Sequence, residues 1–424
     1  MTKTQVDLII HRAGQIVTVR GHNRSPAIGP EMEDLGLLED ASIAIKGEEI
    51  VSVGRSDDVI DQYSADEQID ATGRVVMPGF VDPHTHLVFA GSRESELELK
   101  IKGASYLEIL QKGGGILRTV RDTRAATKED LLRICKQRSR NLLLHGTTTV
   151  ESKSGYGLTL NDEIKMLEVI RELNNAGGPT LVPTFLGAHA IPPEFEGKVA
   201  DYATLICDEW IPEIAKRKLA AFCDVFCEKG VFEIQDSRRI LESGKRVGLK
   251  PKIHADELYP LGGAELAAEV GAISADHLLY ASATGLAEMR RAGVIATLLP
   301  AAPLTLMTER YADARKIIAE QIPVALGSDL SPSCWIENQQ LVMALACYKL
   351  KMTPAEALIA STINAAHAIG KAQGIGSIEG GKKADILILD TGDYRFLGYT
   401  LGSNMVNTVV KNGRVVVRNG QLAM

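Results

Sequence analysis

The chain has 424 residues, 45% hydrophobic, 24% charged and 5% aromatic, which allows a large core and excludes a disordered or fibrous protein. With 47 Lys and Arg against 54 Asp and Glu the net charge is −7, so no basic surplus points to nucleic acid or an anionic membrane, and a small soluble substrate is the expected partner. No uncharged apolar run reaches the roughly 18 residues of a spanning helix, and the longest, Val294 to Thr308, is broken by Pro300 and Pro303.

Asp7 beside Leu8-Ile9-Ile10 gives no export leader, so a cytoplasmic location is expected. The 6 cysteines are too few for a disulfide framework at this length, and Cys223 with Cys227 has no second pair to complete a zinc site; reduced thiols are expected.

In chain order, Val6 to Ile10, Ile16 to Val19, Ser42 to Ile45 and Ile50 to Val53 alternate as strands, the last two around the turn Lys46-Gly47-Glu48-Glu49. A small antiparallel β unit is predicted. From about Val75 to Gly374, short apolar strands alternate with amphipathic helical stretches such as Lys128 to Leu144 and Asn161 to Asn174, the pattern of a parallel α/β fold. The strand-like segments are Val76 to His86, Thr147 to Glu151, Thr180 to His189, Phe222 to Glu228, Lys252 to Glu257, Ser274 to His277, Val294 to Pro300 and Val324 to Asp329. Eight such units make a (β/α)8 barrel of the TIM type, whose chemistry sits at strand C-termini, and all of these segments but the seventh end in a polar or ionisable residue. A doubly wound open sheet would carry a Gly-rich phosphate turn after its first strand, where this chain has Asp82-Pro83-His84-Thr85-His86. Gly113-Gly114-Gly115 lacks a preceding strand and is a weak phosphate signal. Asp385 to Leu389, Thr408 to Val410 and Val415 to Val416 then return to strand alternation, the latter two joined by the hairpin signal Asn412-Gly413. The expected organisation is a catalytic barrel over residues 76–374 and a β-sandwich built from both chain ends, residues 1–75 and 375–424.

Residues two apart on a strand face the same side, so His84 and His86 can both point into the barrel mouth. His254, His277 and Asp329 fall at the ends of the fifth, sixth and eighth segments. Nitrogen and carboxylate donors suit one divalent ion, Zn²⁺ or Fe²⁺; His84, His86, His254 and Asp329 leave a position for water, which such an ion acidifies towards a pKa of about 7. Metal-assisted hydrolysis is the expected chemistry. Glu257, three residues beyond His254, can shuttle a proton, and His189 after Leu186-Gly187-Ala188 belongs in the mouth. Glu228 is either a supporting partner or merely structural. No lysine ends the fourth segment, where a modified lysine could bridge two metals, so a single metal is favoured; Lys153 lies elsewhere and reads as structural.

These residues resemble the amidohydrolase superfamily and, within it, the imidazolonepropionase family, over nearly the whole chain. The resemblance is carried by His84-Thr85-His86-Leu87-Val88-Phe89-Ala90-Gly91 with Arg93 and Glu94, Gly113-Gly114-Gly115-Ile116 leading into Thr119-Val120 and Thr123-Arg124, and Lys153-Ser154-Gly155-Tyr156-Gly157-Leu158. His254-Ala255-Asp256-Glu257 and Ser274-Ala275-Asp276-His277-Leu278 complete it. The metal pattern is shared with many deaminases and cyclic-amide hydrolases; Arg93, Tyr156 and His189 point to this family. The resemblance implies hydrolysis of 4-imidazolone-5-propanoate to N-formimidoyl-L-glutamate in histidine degradation, and a homodimer. Asp329, His277 and Glu257 would move protons, while Arg93 would grip the propionate with help from Tyr156 and His189. The chain departs from the family where Asp-x-Asn-Pro-Gly is expected and Asp329-Leu330-Ser331-Pro332-Ser333-Cys334 stands. That loop, with Ser331, Ser333 and Cys334, is implied to help hold the substrate; Ser331 keeps a hydrogen-bonding hydroxyl and Ser333 replaces a glycine. The competing readings are an aminohydrolase releasing ammonia from a heterocyclic base, which has less need of Arg93, and a non-catalytic barrel scaffold.

Overall fold

The computed structural model describes residues 3–103 and 113–423. Strand β1 (Thr4–Val17) pairs antiparallel with β2 (Leu37–Lys46), which turns at the predicted Lys46–Glu49 site into β3 (Glu49–Arg55). A register shift between Ile10 and Ala13 bends β1, with Arg12 at φ 54. The two halves of the bent strand then take different parallel partners, β4 (Tyr63–Asp70) and β5 (Val75–Pro78). The expectation of a purely antiparallel unit is corrected by these pairings.

Val76 to His86, expected as one strand, is divided at Gly79 between β5 and the first barrel strand, β6 (Phe80–Asp82). A Cβ at Gly79 would lie 2.3 Å from Thr148 Oγ1, so only glycine lets the chain cross this closely from one sheet to the other. The barrel continues through β7 (Thr147–Lys153), β8 (Thr180–Ala188), β9 (Phe222–Cys227), β10 (Lys250–Ala255), β11 (Ser274–His277), β12 (Ile295–Leu298) and β13 (Val324–Leu326). Each strand pairs parallel with the next in sequence. Closure from last to first occurs past the strand ends, where Asp329 N donates to His84 O at 3.1 Å and His86 N to Leu330 O at 2.8 Å. The seam of the barrel is therefore made by the residues expected to bind metal.

Helices at Lys128–Leu144 and Leu160–Asn175 form where amphipathic stretches were predicted, capped by Thr127 and Thr159 through the N–H groups of Asp130 and Asp162. Their apolar faces, with Leu131, Leu142, Leu167 and Ile170, pack on the outside of the barrel. After the barrel, β14 (Ile386–Leu389), β15 (Val406–Lys411), β16 (Arg414–Arg418) and β17 (Gln421–Leu422) extend the sheet begun by β5, giving nine strands from both chain ends. Its halves enclose one apolar interior, in which Leu8, Ile10, Ile16, Ile43 and Ile45 meet Ile386, Ile388 and Val410. All 6 cysteines are unpaired and 5 are buried. Among the described residues no helix is long and apolar enough to cross a membrane.

Candidate metal centre and active site

His84 and His86 extend from β6, His254 stands on β10 and Asp329 follows β13, so three remote segments meet at the mouth. His84 Nε2 and His86 Nε2 each lie 3.6 Å from Asp329 Oδ1, and His254 Nε2 lies 3.4 Å from His86 Nε2. All four side chains are buried. In two of the three rings the other nitrogen is engaged, His84 Nδ1 facing Asp276 Oδ2 at 2.6 Å and His254 Nδ1 facing Asp224 Oδ1 at 3.2 Å, whereas the buried His86 Nδ1 has no hydrogen-bond partner. A carboxylate only accepts, so these contacts place the ring proton on Nδ1 and turn the Nε2 lone pairs towards one another. Burial, reinforced by Lys153 at His84 and by His189 at His86, holds both imidazoles well below the usual histidine range and keeps them neutral. The buried His84 Nε2 has no hydrogen-bond partner. Neutral lone pairs converging with a carboxylate oxygen fit one divalent cation, and they account for that unpartnered nitrogen. Two overlapping donor groups share His84, one with His86 and Asp329 and one with His254 and His277, each with its atoms within 4.8 Å of one another.

Beneath these donors lies an ionic layer that reading the strand ends alone did not find. Glu151, Lys153, Asp224, Lys252 and Asp276 are all buried, in contact across the barrel interior. Burial works against the Asp224 carboxylate, yet Lys153 holds it below the ordinary aspartate value; Asp276 is lowered in the same way, against burial, by Lys252 and Lys153. The overlooked signal was parity: Glu151 and Lys153, Lys252 and His254, and Ser274 and Asp276 are spaced by two within short strands, so each pair shares the axis-facing side.

Glu257 and His277 join the mouth, with Glu257 Oε2 3.7 Å from His277 Nε2. Burial first, then the charges of Asp329 and Glu228, push the Glu257 carboxyl up to about 8. Burial likewise pushes Asp329 up to about 7. Asp256, His277 and Asp329 have φ of 50, 77 and 54, so left-handed backbone clusters at the ends of β10, β11 and β13. The loop carrying Glu257 is pinned from both sides. Asp256 accepts from the N–H groups of Leu261, Gly262, Gly263 and Ala264, while Glu228 accepts from Lys229 and Leu258. Glu228 is thus engaged in holding the loop beside Glu257.

Tyr156 and His189 are brought against the donors. The His189 ring stacks on His86 at 4.8 Å, and Tyr156 lies 5.1 Å from His189 and 5.7 Å from His86 between ring centroids. Burial pushes His189 down to about 3. The segment presenting Tyr156 is held by Glu163, whose carboxylate accepts from the N–H groups of Gly155, Gly157 and Leu158. A Cβ at Gly155, φ 108, would come within 2.9 Å of His189 Nδ1. Arg93 is mostly buried, and its Nε donates to Glu96 Oε2 at 2.9 Å. Ser331 Oγ contacts Ser333 Oγ at 3.2 Å and accepts from Cys334 N, and the buried Cys334 thiol faces Ser328 O. These three side chains bond within or next to their own loop.

Residues 250–416 and 67–110 match profiles described as Amidohydrolase family. The imidazolonepropionase of Shouchella clausii (strain KSM-K16) is 51% identical over 420 residues, 98% of this chain and 94% of that protein. The imidazolonepropionase of Geobacillus kaustophilus (strain HTA426) is also 51% identical, over 98% of this chain and 99% of its own. Among solved structures, an adenosine deaminase from Xanthomonas campestris with bound zinc superposes with a TM-score of 0.72 at 17% identity, covering 100% of this chain and 95% of that one. A triazine hydrolase variant does so with 0.73 at 18% identity, covering 98% and 96%; at such identities the likeness concerns the fold. With half its residues shared along nearly its entire length, the chain belongs to the imidazolonepropionase family of amidohydrolases.

Proposed function

We propose that the chain hydrolyses the cyclic amide C–N bond of 4-imidazolone-5-propanoate, giving N-formimidoyl-L-glutamate in histidine degradation. The observation that carries this reading is the convergence of His84, His86, His254 and Asp329 beside Glu257, in a chain half identical to named imidazolonepropionases. When bound, a single divalent ion, zinc or iron, supplies Lewis acidity at the amide carbonyl and lowers the pKa of water there. Asp329 and His277 take up and orient the proton that water gives up as its oxygen joins the ring carbonyl carbon. That carbon becomes a carboxylate as the C–N bond breaks. The ring nitrogen leaves poorly as an anion, and Glu257, kept protonated by burial, donates to it. Arg93 directs its remaining guanidinium donors to the propionate, a bidentate match for a carboxylate. Tyr156 and His189 contribute hydrogen bonds, and the 331–334 loop borders the substrate. The enzyme acts as a cytoplasmic homodimer on a small molecule.

The test is turnover of the imidazolone by purified protein loaded with zinc or ferrous iron, with ring-opened product and ammonia both measured. Product without ammonia supports the reading. Ammonia release from a heterocyclic base instead indicates an aminohydrolase, and no turnover with any metal indicates a barrel that has lost its chemistry.

A further inference from the structure

Lys153 is, like Lys252, a fully buried cation of the barrel interior. Its side chain is 0% exposed, and Nζ lies 2.8 Å from Glu151 Oε1, 2.7 Å from Asp224 Oδ2 and 3.8 Å from Asp276 Oδ2. Asp224 is shared: one oxygen takes Lys153, the other accepts from His254 Nδ1 at 3.2 Å and from Val225 N at 2.7 Å. Asp276 is shared too, its Oδ2 facing His84 at 2.6 Å and its Oδ1 accepting from Ser274 Oγ. Lys252 relates differently to this layer, donating to Ser274 Oγ at 2.7 Å and standing 3.7 Å from Asp276.

We propose that Lys153 is a positioning residue: through Asp224 its ammonium fixes the orientation of His254, and so sets how well the donor group at the mouth grips a divalent ion. The geometry supplies the reason. A carboxylate with one free oxygen can rotate and follow the imidazole, whereas one clamped by an ammonium and a backbone N–H presents a fixed acceptor to His254 Nδ1. Supporting carboxylates of this kind typically change metal affinity about 10- to 100-fold when removed. The inference rests on the metal-binding part of the proposed function, and it makes Lys153 more than a structural lysine.

Zinc alone is the probe, and its dissociation constant from the purified full-length protein is measured by competition with a chelator, independently of turnover. Lys153→Met alone strands two carboxylates, so it is paired with Glu151→Gln, which preserves net charge, and compared with Glu151→Gln by itself. The pair is expected to fold and to bind zinc at least about tenfold more weakly than Glu151→Gln. Asp224→Asn should weaken binding by a similar factor. Adding Asp224→Asn to the pair should weaken binding little further, because both changes act along one chain of contacts. A folded pair with the zinc affinity of Glu151→Gln overturns the proposal, as do fully multiplicative losses in the triple variant. Failure of every Lys153 variant to fold also overturns it, because Lys153 is then structural. A wild-type protein that binds no zinc overturns both this inference and the metal reading beneath it, whereas tight wild-type binding with an unaffected variant removes only the inference.

Discussion

The sheet made by the chain ends encloses Leu8, Ile10, Ile16, Ile43, Ile45, Ile386, Ile388 and Val410, while the barrel encloses Asp82, Glu151, Lys153, Asp224, Lys252 and Asp276 below its histidines. Both interiors are shielded from water, and they are filled with opposite chemistry. Burying an aliphatic side chain stabilises a fold by roughly 1.5–3 kcal/mol. Burying charge costs free energy that pairing must offset, and a paired interior often adds no net stability over an apolar one. The barrel therefore draws its stability from its outside, where Leu131, Leu142, Leu167 and Ile170 on the flanking helices cover the strands. Its axis is left to hold the His84 and His254 rings through Asp276 and Asp224. The end sheet has no such duty and is filled as an ordinary core.

This contrast can be broken by replacements on each side. The largest effect is expected from His84→Ala with His86→Ala, which removes two converging donors: elemental analysis should show about one metal per chain lost, together with all activity. Full activity in that protein, or in metal-stripped wild type, would refute the metal reading. In the end sheet, Ile388→Ala should cost about 2–5 kcal/mol in chemical unfolding while leaving kcat per folded molecule unchanged; a fall in kcat would mean that the two interiors are coupled.

Glu257→Gln should retain metal yet lose about 10²-fold or more in kcat. Its pH profile sharpens the point. Glu257 is raised to about 8 by burial, so it holds its proton below that pH and gives it up as pH rises through that value. If it is the acid, wild-type activity falls on the alkaline side, and the glutamine variant loses that limb; an identical limb in both assigns it to another group. Arg93→Met should cost about 2 kcal/mol in kcat/KM, the low end for a desolvated charge pair because Glu96 already neutralises part of the guanidinium. The loss should appear with the propionate and vanish with an analogue bearing a neutral amide. Equal losses on both substrates would make Arg93 a loop support. The smallest effect belongs to the surface: Arg238→Ala breaks an ion pair with the exposed Glu269, 2.7 Å long, and should change stability by no more than about 1 kcal/mol.

Much of the candidate site was legible because the candidate donors and carboxyl groups sit at strand ends, where loops begin and polar residues interrupt apolar runs. His84, His86, His254, His277 and Asp329 were visible in that way, and Glu257 followed from its spacing to His254. Asp224 and Asp276 were not singled out, because an aspartate inside a strand looks the same in sequence whether it meets solvent or another strand's histidine. Arg93 had two readings, substrate grip or pairing with a neighbouring glutamate, and the structure shows the Glu96 pair. Ser331, Ser333 and Cys334 were implied by the family loop to help hold the substrate, and in the structure their side chains bond within or next to that loop.

By itself the sequence determined what depends on local periodicity and residue chemistry: eight parallel strands with crossover helices, strand-rich ends, and neutral-nitrogen and carboxylate donors suited to a divalent ion. Two-residue alternation and 3.6-residue amphipathicity are short-range properties, written within a few residues. Tertiary structure alone decided that β1 bends to pair with both β4 and β5, that Gly79 passes the chain between sheets, and that Lys153 serves Asp224. Each of these joins segments tens of residues apart, through close backbone approach or a shared proton, and no local pattern encodes which partner a buried charge will find.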